Sequence, residues 1–205
     1  MNSHLHGTRS VSLIATGLLG AALAILRYTE GQNLAGRYDI KTEHVECCPS
    51  AILDRPFPCT VSHVRDRQDL RNVFFAINFT MNHSFDDYKD AQVVYSSWSS
   101  RGGWKENAIV MKFRRVCTSL RIYLPGVWRH FLDHTTGPTG PVHECPLPPG
   151  SYAYYNFSSG GITPANIPSL YYGKWRVDTR VYDRRETCIM CIRMTLRISP
   201  KANQG

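Results

Sequence analysis

The stretches WRVDTRV (residues 175–181) and IRMTLRI (192–198) decide the fold class. In both, apolar and polar side chains alternate, and most of the polar positions hold arginine. A period of two is typical of a β-strand with one buried face and one solvated face. The polar segment DRRE (183–186) between them has the length of a hairpin turn. The end of the chain is therefore predicted to form an antiparallel hairpin.

The same pattern occurs earlier, in Val73 to Thr80 and in Ala108 to Val116. One helix is predicted, Gly126 to His134, with Val127, Trp128, Phe131 and Leu132 on one side. A chain of 205 residues with 42% hydrophobic side chains can bury one core,. We find no repeat, heptad pattern or dividing linker. The sequence predicts a single all-β sandwich with one short helix.

The N-terminus predicts export from the cell. An uncharged apolar run covers residues 11–26, Arg9 precedes it, and Ala22 and Ala24 are small residues suited to cleavage,. The run is shorter than a membrane span, which needs about 20 residues. We predict a cleaved signal peptide at 1–24 and a mature domain at 25–205, either secreted or in the lysosomal or endosomal lumen. An uncleaved signal anchor is the alternative, because Arg27 flanks the run.

Three Asn-x-Ser/Thr sequons agree with this compartment, and they predict glycosylation at Asn78, Asn82 and Asn156,.

The chain has seven cysteines, all within the predicted mature domain. In an oxidising compartment cysteines pair, so at least one of the seven lacks an internal partner. The simplest arrangement pairs Cys117 with Cys145 and joins the N-terminal cysteines to Cys188 and Cys191. We expect the bridged set to be Cys47, Cys59, Cys117, Cys145, Cys188 and Cys191. The spare thiol is expected among Cys47, Cys48 and Cys59, with the adjacent pair examined first.

The sequence holds little that predicts catalysis. No nucleophile elbow, zinc-protease motif, phosphate-binding loop or dinucleotide fingerprint occurs,. His130 and His134 have helical i, i+4 spacing, but no third metal ligand is evident,. Much of the net charge of +8 lies on strand faces and not in a nucleic-acid-like patch. We therefore expect a protein that is not an enzyme, with no cofactor, no metal and no nucleic-acid partner.

The segment CPLPPGSY (145–152) resembles the Cys-Pro-x-x-x-Gly-x-Tyr signature of the ganglioside activator proteins, in the ML lipid-recognition superfamily. The resemblance continues through Ile167-Pro168, GKWRVD (173–178) and a cysteine before IRMTL (192–196). It spans roughly Cys117 to Ile198, and secreted arthropod members, some tied to chemosensation, are also similar. The activators carry extra cysteines between the positions of 117 and 145. This chain has none there, so the resemblance does not extend to ganglioside as the ligand.

This resemblance implies an immunoglobulin-like two-sheet sandwich whose sheets splay to form an internal cavity for lipid acyl chains. It also implies a Cys117–Cys145 bridge and a bridge from an N-terminal cysteine to Cys191 or Cys188. The function implied is binding and transfer of a lipid or another hydrophobic ligand. The expected wall and mouth of the cavity are Val127, Trp128, Phe131, Phe157, Ile167, Leu170 and Trp175.

Two kinds of partner follow from that function. Arginines on the outer strand faces are candidates for contact with an anionic membrane surface. They are Arg176, Arg180, Arg193 and Arg197. The alternative function is that of an extracellular co-receptor or chemosensory accessory protein that presents a hydrophobic ligand to a receptor. A secreted hydrolase is a third, less favoured, hypothesis.

Overall fold

The computed structural model describes residues 36–69, 72–160 and 170–201. It is an immunoglobulin-like sandwich of two antiparallel five-stranded sheets, as predicted. The strands are β1 (Tyr38–Cys47), β2 (Cys59–Arg65), β3 (Val73–Met81), β4 (Asp90–Ser99), β5 (Gly103–Phe113), β6 (Thr135–Gly137), β7 (Gly140–Pro141), β8 (Gly150–Ser158), β9 (Gly173–Tyr182) and β10 (Cys188–Pro200). The first sheet has the order β1-β10-β9-β4-β5, and the second has the order β2-β3-β8-β6-β7.

The predicted C-terminal hairpin is confirmed, with β9 and β10 in antiparallel register and Leu196 opposite Trp175. The expected signal peptide at 1–24 lies outside the described residues. Among the residues that are described, no helix is long and apolar enough to cross a membrane.

The chain forms two short α-helices where one was predicted. Helix α1 is Val116–Tyr123, α2 is Pro125–Asp133, and a 3-10 turn covers Ser50–Ile52. The strand predicted to run to Val116 ends at Phe113, because Arg115 adopts a left-handed φ of 60° that ends the extended chain. Asp87 then accepts hydrogen bonds from the amide and hydroxyl of Thr118 and so caps α1,. This cap comes from a distant segment, so the local pattern of residues 108–116 does not reveal it.

All three disulfides lie at one end of the sandwich, which we call the bridged end. They are Cys47–Cys59, Cys48–Cys191 and Cys117–Cys145. Cys47 ends β1 and Cys59 begins β2, so this bond ties the two sheets together along one edge. The opposite end, where β1 and β9 begin and β4 and β10 finish, is called the open end.

The expected Cys117–Cys145 bridge is confirmed, and so is a bridge from an N-terminal cysteine to Cys191. The prediction that Cys188 is bridged is wrong, as is the prediction that the spare thiol is Cys47, Cys48 or Cys59. Cys188 is the free cysteine. The physical reason is that the end of β1 meets the start of β2, so Cys47 pairs inside the N-terminal group and leaves one C-terminal cysteine over.

The interior divides into two main apolar clusters. The first lies between the sheets, where Phe75, Ile77 and Tyr154 of the second sheet pack with Val45 and Val181 of the first. The second cluster is built on the inner face of the first sheet. Its buried members are Ile40, Trp175, Val177, Leu196 and Ile198. None of the described side chains of the second sheet belongs to it.

The lengths of the strands explain this division. The first sheet finishes at one edge in β4 and β5, of ten and eleven residues, whereas the second finishes in β6 and β7, of three and two. The second sheet is therefore much shorter than the first along this edge. At the other edge, the Thr42 amide donates to the carbonyl of Ser159, just after β8, and holds β1 to the end of the second sheet.

Candidate functional site

The candidate site is the inner surface of the first sheet where the second cluster lies. We call this surface the open face. All five strands of that sheet contribute to it, and the segment before β9 adds two residues. Besides the five buried side chains, its partly buried members are Tyr38, Val93, Tyr95, Ala108, Ile109, Leu170, Tyr172 and Met194. Met194 also packs against the first cluster, so the two clusters meet there.

Residues 170–173 are fixed to the open face by hydrogen bonds. The Trp175 indole N–H donates to the Tyr171 carbonyl at 2.9 Å. The Tyr172 hydroxyl accepts from the Gly36 amide at 2.9 Å and donates to the Arg37 carbonyl at 3.2 Å. The indole of Trp175 also meets the ring of Tyr95 edge-on, with centroids 6.3 Å apart. These contacts hold Leu170 against the cluster.

The open face carries the phenol hydroxyls of Tyr38, Tyr95 and Tyr172. Burial raises the pKa of Tyr95 to about 12, and the neighbouring Tyr38 adds to this shift, so the phenol stays neutral at physiological pH,. Thr42 lies two residues after Ile40 on β1 and is 1% exposed. A neutral apolar surface with isolated hydroxyls suits the uncharged part of an amphiphile.

The structure separates the seven predicted cavity residues instead of bringing them together. Leu170 and Trp175 lie in the second cluster, as part of the open face. Trp128, Phe131 and Phe157 belong to or pack on the first cluster, and Val127 is half-buried on α2. Ile167 lies outside the described residues.

The packing of α2 explains why the predicted cavity residues lie in two places. Trp128 stacks between Phe85 and Phe131, with centroids 6.3 Å and 5.4 Å away. This helix therefore closes the sandwich near the bridged end, and its aromatic side chains are core residues there. The described members of the predicted cavity set therefore fall into two groups, and their role in binding a lipid stays a prediction.

Tyr38, Ile40, Tyr95 and Ile109 also belong to the open face, although none of them was among the predicted cavity residues. A signal for two of them was present, because Tyr38 and Ile40 alternate with charged residues in YDIK (38–41),. Alternation identifies an inward face, but it does not tell which part of that face the other sheet leaves uncovered.

The pockets elsewhere in the described chain are of other kinds. One small, partly open cavity of about 30 Å³ lies among Arg55, Phe85 and Met190, and has room for about one water molecule,. An open trough of about 440 Å³ crosses the second sheet and is lined by polar residues such as Thr60 and Asn78 and by apolar ones such as Pro58, Phe79 and Tyr152. A pocket for a drug-sized ligand is typically about 300–1,000 Å³ and apolar. Neither space is the internal acyl-chain cavity expected from the sequence.

The signature segment 145–152 has a clear packing role. Gly150 has a φ of 149°, and a Cβ there would lie 2.6 Å from the ring of Pro138, so only glycine fits,. Tyr152 is buried and stacks on Phe79 with ring centroids 5.4 Å apart. Its hydroxyl donates to the Pro148 carbonyl. The motif therefore starts β8 and anchors it in the core of the second sheet.

The outer face of the first sheet is a network of ion pairs. Asp178 is 5% exposed and accepts from Arg193 at 2.6 Å and 2.9 Å and from Arg180 at 3.0 Å. Burial raises the pKa of Asp178, but the bonds and charges of both arginines outweigh burial and leave that pKa below its usual value,.

The other two arginines named in the sequence analysis are paired as well. Arg176 binds Glu106 and lies 4.9 Å from the ring centre of Trp104, and Arg197 binds Glu43 at 2.6 Å. All four arginines therefore lie beside a carboxylate, and Arg180 and Arg193 share Asp178. Their contact with an anionic membrane stays a prediction.

The three predicted glycosylation sites are accessible. Asn78, Asn82 and Asn156 are all exposed, as glycan attachment requires,.

The two histidines with metal-ligand spacing contact each other and a tyrosine. His130 and His134 stack with ring centroids 4.0 Å apart, and Nδ1 of His130 is hydrogen-bonded to the Tyr154 hydroxyl. Among the described residues, the one group of three ligand side chains is Cys48, Asp178 and Cys191. Its two sulfurs are joined in a disulfide and do not bind metal,.

Comparison with known proteins gives structural matches but no sequence match. No family model matches the chain, and no curated protein matches its sequence. The solved structure "Crystal structure of chicken MD-1 complexed with lipid IVa" is similar with a TM-score of 0.37 and 11% sequence identity. The match covers 78% of this chain and 90% of that chain. A similarity of this degree assigns neither a family nor a function.

Proposed function

We propose that this protein is a secreted, non-enzymatic lipid-binding protein that takes an acyl chain against the open face. The observation that carries the proposal is an apolar, aromatic-rich cluster on the inner face of one sheet, to which no described side chain of the other sheet belongs. An acyl chain that enters between the sheets at the open end would pack against this cluster. Residues 170–172 would then line the ligand's outer side.

The energetics favour transfer over permanent capture. Burying a 16-carbon chain gains about 13 kcal/mol relative to water, at about 0.8 kcal/mol per methylene. Most of that gain cancels when the lipid comes from a membrane, because the chain was already out of water there. The protein would therefore exchange its lipid with membranes.

The rim of the open end suits contact with an anionic membrane. Trp98 and Tyr171 are 48% and 55% exposed, and these are side chains that favour the membrane interface,. Arg101 and Lys105 are exposed beside them on the β4–β5 hairpin. Neither forms an ion pair with a described carboxylate. We infer that these residues face the lipid headgroups while a chain enters.

Two further features support the proposal. Three disulfides in a chain of this size favour an oxidising compartment, in keeping with the proposed secretion,. The two-sheet sandwich, the Cys117–Cys145 bridge and the packing of Gly150 and Tyr152 fit the resemblance to the ML superfamily. Membership of that superfamily is part of the proposal.

The test introduces one carboxylate at each of the two places where the predicted cavity residues lie. Leu170→Glu puts a charge on the open face, and Val127→Glu puts the same charge on half-buried α2. We expect Leu170→Glu to weaken binding of a fluorescent C16 fatty acid at least tenfold, because it buries a charge. Val127→Glu should bind like the wild type, and circular dichroism should show that both variants fold.

Two results would refute the proposal. If the folded wild-type protein neither binds the fatty acid nor yields any lipid on extraction, it is not a lipid-binding protein. If Val127→Glu abolishes binding while Leu170→Glu leaves it intact, the lipid binds near α2 and not on the open face.

A further inference from the structure

One of the three sequon asparagines lies in the open trough that crosses the outer face of the second sheet. Asn78 is exposed in the middle of β3, and it lines the trough together with Thr60 and Thr136. The trough has a volume of about 440 Å³, which is within the range of about 300–1,000 Å³ that drug-sized ligands fill,. A glycan attached to Asn78 would therefore begin inside a hollow of the protein's own surface.

The register of the strands shows what surrounds Asn78 on this face. Asn78 lies opposite Thr60 of β2 on one side and opposite Ala153 of β8 on the other. Ala153 in turn lies opposite Thr136 of β6. Residues opposite each other in an antiparallel pair point to the same face of the sheet. The row across the sheet at Asn78 thus consists of short side chains, which leave room above the strands.

The chemistry of the trough suits a neutral sugar. Thr60, Thr136 and Ser151 offer hydroxyl groups, which both donate and accept hydrogen bonds, as the hydroxyl groups of a sugar do,. Thr80, the third residue of the sequon, shares a hydrogen bond of 3.0 Å with Ser151 across the trough. None of the described residues that line the trough is charged, so a sugar lying there would cover no charge,.

The other two sequons have different surroundings. Asn82 borders the cavity of about 30 Å³, which has room for about one water molecule and not for a sugar ring,. Asn156 has a left-handed φ of 64° on β8 and follows Tyr155, which is 50% exposed. Neither asparagine lines the trough. Glycans at these two positions would therefore extend into solvent.

We propose that the glycan on Asn78 folds back into the trough, where its first sugars pack on Ala153 and hydrogen-bond to Thr60 and Thr136. The glycan then covers the outer face of the second sheet, stabilises the folded protein and is itself protected. This inference goes beyond lipid binding. It shares with the proposed function only the export of the chain through the secretory pathway.

The test measures how fast peptide N-glycosidase F releases each glycan from the native and from the denatured protein. The full chain is produced in a glycosylating secretory host, and release is followed by mass spectrometry, because the enzyme converts each released asparagine to aspartate. The native-to-denatured ratio of release rates measures protection. We expect this ratio to be about tenfold lower at Asn78 than at Asn156, since the seated glycan has to leave the trough before it is cleaved.

Two exposed positions on the same face of β2 supply matched variants. Thr60→Arg puts a long side chain into the trough opposite Asn78, and Ser62→Arg puts the same side chain two residues further along, outside the trough. Neither substitution changes the sequon. We expect Thr60→Arg to speed release of the Asn78 glycan from the native protein about tenfold, and Ser62→Arg to leave the rate as in the wild type. Circular dichroism should show that both variants fold.

Thermal melting gives a second readout. Asn78→Gln removes the glycan and should lower the melting temperature by about 3 °C, because the contacts of the packed sugars are lost. In a protein that already carries Thr60→Arg, the same substitution should change the melting temperature little, because the glycan is no longer seated.

The possible failures are distinct. The inference is wrong if the exported protein carries no glycan at Asn78, or if Thr60→Arg leaves the release rate unchanged, and lipid binding is unaffected by either result. Equal acceleration by Thr60→Arg and Ser62→Arg would also overturn it, because the trough would then have no part in the protection. So would a melting temperature of Asn78→Gln equal to that of the wild type. If the host does not export the chain, the proposed secretion fails and the inference fails with it.

Discussion

At the scale of single residues, Cys188 shows how strongly position decides chemistry. It is 1% exposed and packs with Cys48 and Cys191, which are bonded to each other. Burial raises the pKa of the Cys188 thiol, which disfavours the reactive thiolate,. The CxxC spacing of Cys188 and Cys191 therefore does not make a reactive pair here.

We expect the native protein to show no thiol reactive toward a disulfide reagent within minutes, and one thiol per molecule after denaturation without reductant. The measurement is thiol titration by absorbance, with Cys188→Ala as the control that should show none in either state. A native thiol that reacts within seconds would contradict the burial of Cys188.

Asp178 is the residue on which the outer network of the first sheet depends. Replacing it with Asn leaves Arg193, whose side chain is 12% exposed, without its carboxylate partner. We expect Asp178→Asn to lower the free energy of unfolding at pH 7 by about 3 kcal/mol. Glu106→Gln removes a partner that is 57% exposed and should cost at most about 1 kcal/mol,. Denaturant titration of the two variants checks this order.

The pH dependence follows from the lowered pKa of Asp178. A carboxyl whose pKa is lower in the folded state stabilises the protein above its unfolded pKa, which is about 3.9. This stabilisation is lost as the pH falls below that value and through the folded pKa. The stability difference between the wild type and Asp178→Asn should therefore shrink below about pH 4, and a constant difference down to pH 2 would contradict the role given to the ion pair.

At the scale of elements, alternation located the strands well because a half-buried strand needs a period of two. It did not locate α1, because the cap from Asp87 and the turn at Arg115 depend on contacts from outside the helix. Nor did spacing along the chain tell which cysteines meet, since that depends on which strand ends lie side by side.

The three bridges should contribute to stability in the order of the loops they close. The sequence separations are 12 for Cys47–Cys59, 28 for Cys117–Cys145 and 143 for Cys48–Cys191. Chain entropy gives about 3, 3.6 and 5 kcal/mol in that order. Replacing each pair with alanine and measuring unfolding in denaturant tests this order. A largest loss on removing Cys47–Cys59 would show that this bond acts by holding the two sheets together and not through loop closure.

At the scale of the whole molecule, the two ends of the sandwich differ. The bridged end holds the three disulfides and the helices, whereas the open face lies toward the open end, next to the exposed Trp98 and Tyr171. In the proposed function, the lipid enters at the open end.

We expect reversal of two charges at the open end to weaken binding to vesicles of mixed phosphatidylcholine and phosphatidylserine. At about 1 kcal/mol for each basic residue near an anionic surface, Arg101→Glu with Lys105→Glu should reduce vesicle binding at least about tenfold. Arg114→Glu with Arg129→Glu makes the same change in net charge near the helices and should have a smaller effect. Co-sedimentation at low salt measures both, and equal losses would mean that net charge alone drives binding.

The sequence by itself determined the class of fold, the C-terminal hairpin and the signature that packs Gly150 and Tyr152, because each depends on local periodicity or on one tight contact. It also placed Leu170 and Trp175 in the candidate site. The tertiary structure alone decided that Trp128 belongs to the core and that Cys188 is left unpaired. The first outcome depends on how α2 packs on Phe85, and the second on the end of β1 meeting the start of β2. Both are contacts between distant segments, which the pattern within any one strand does not contain.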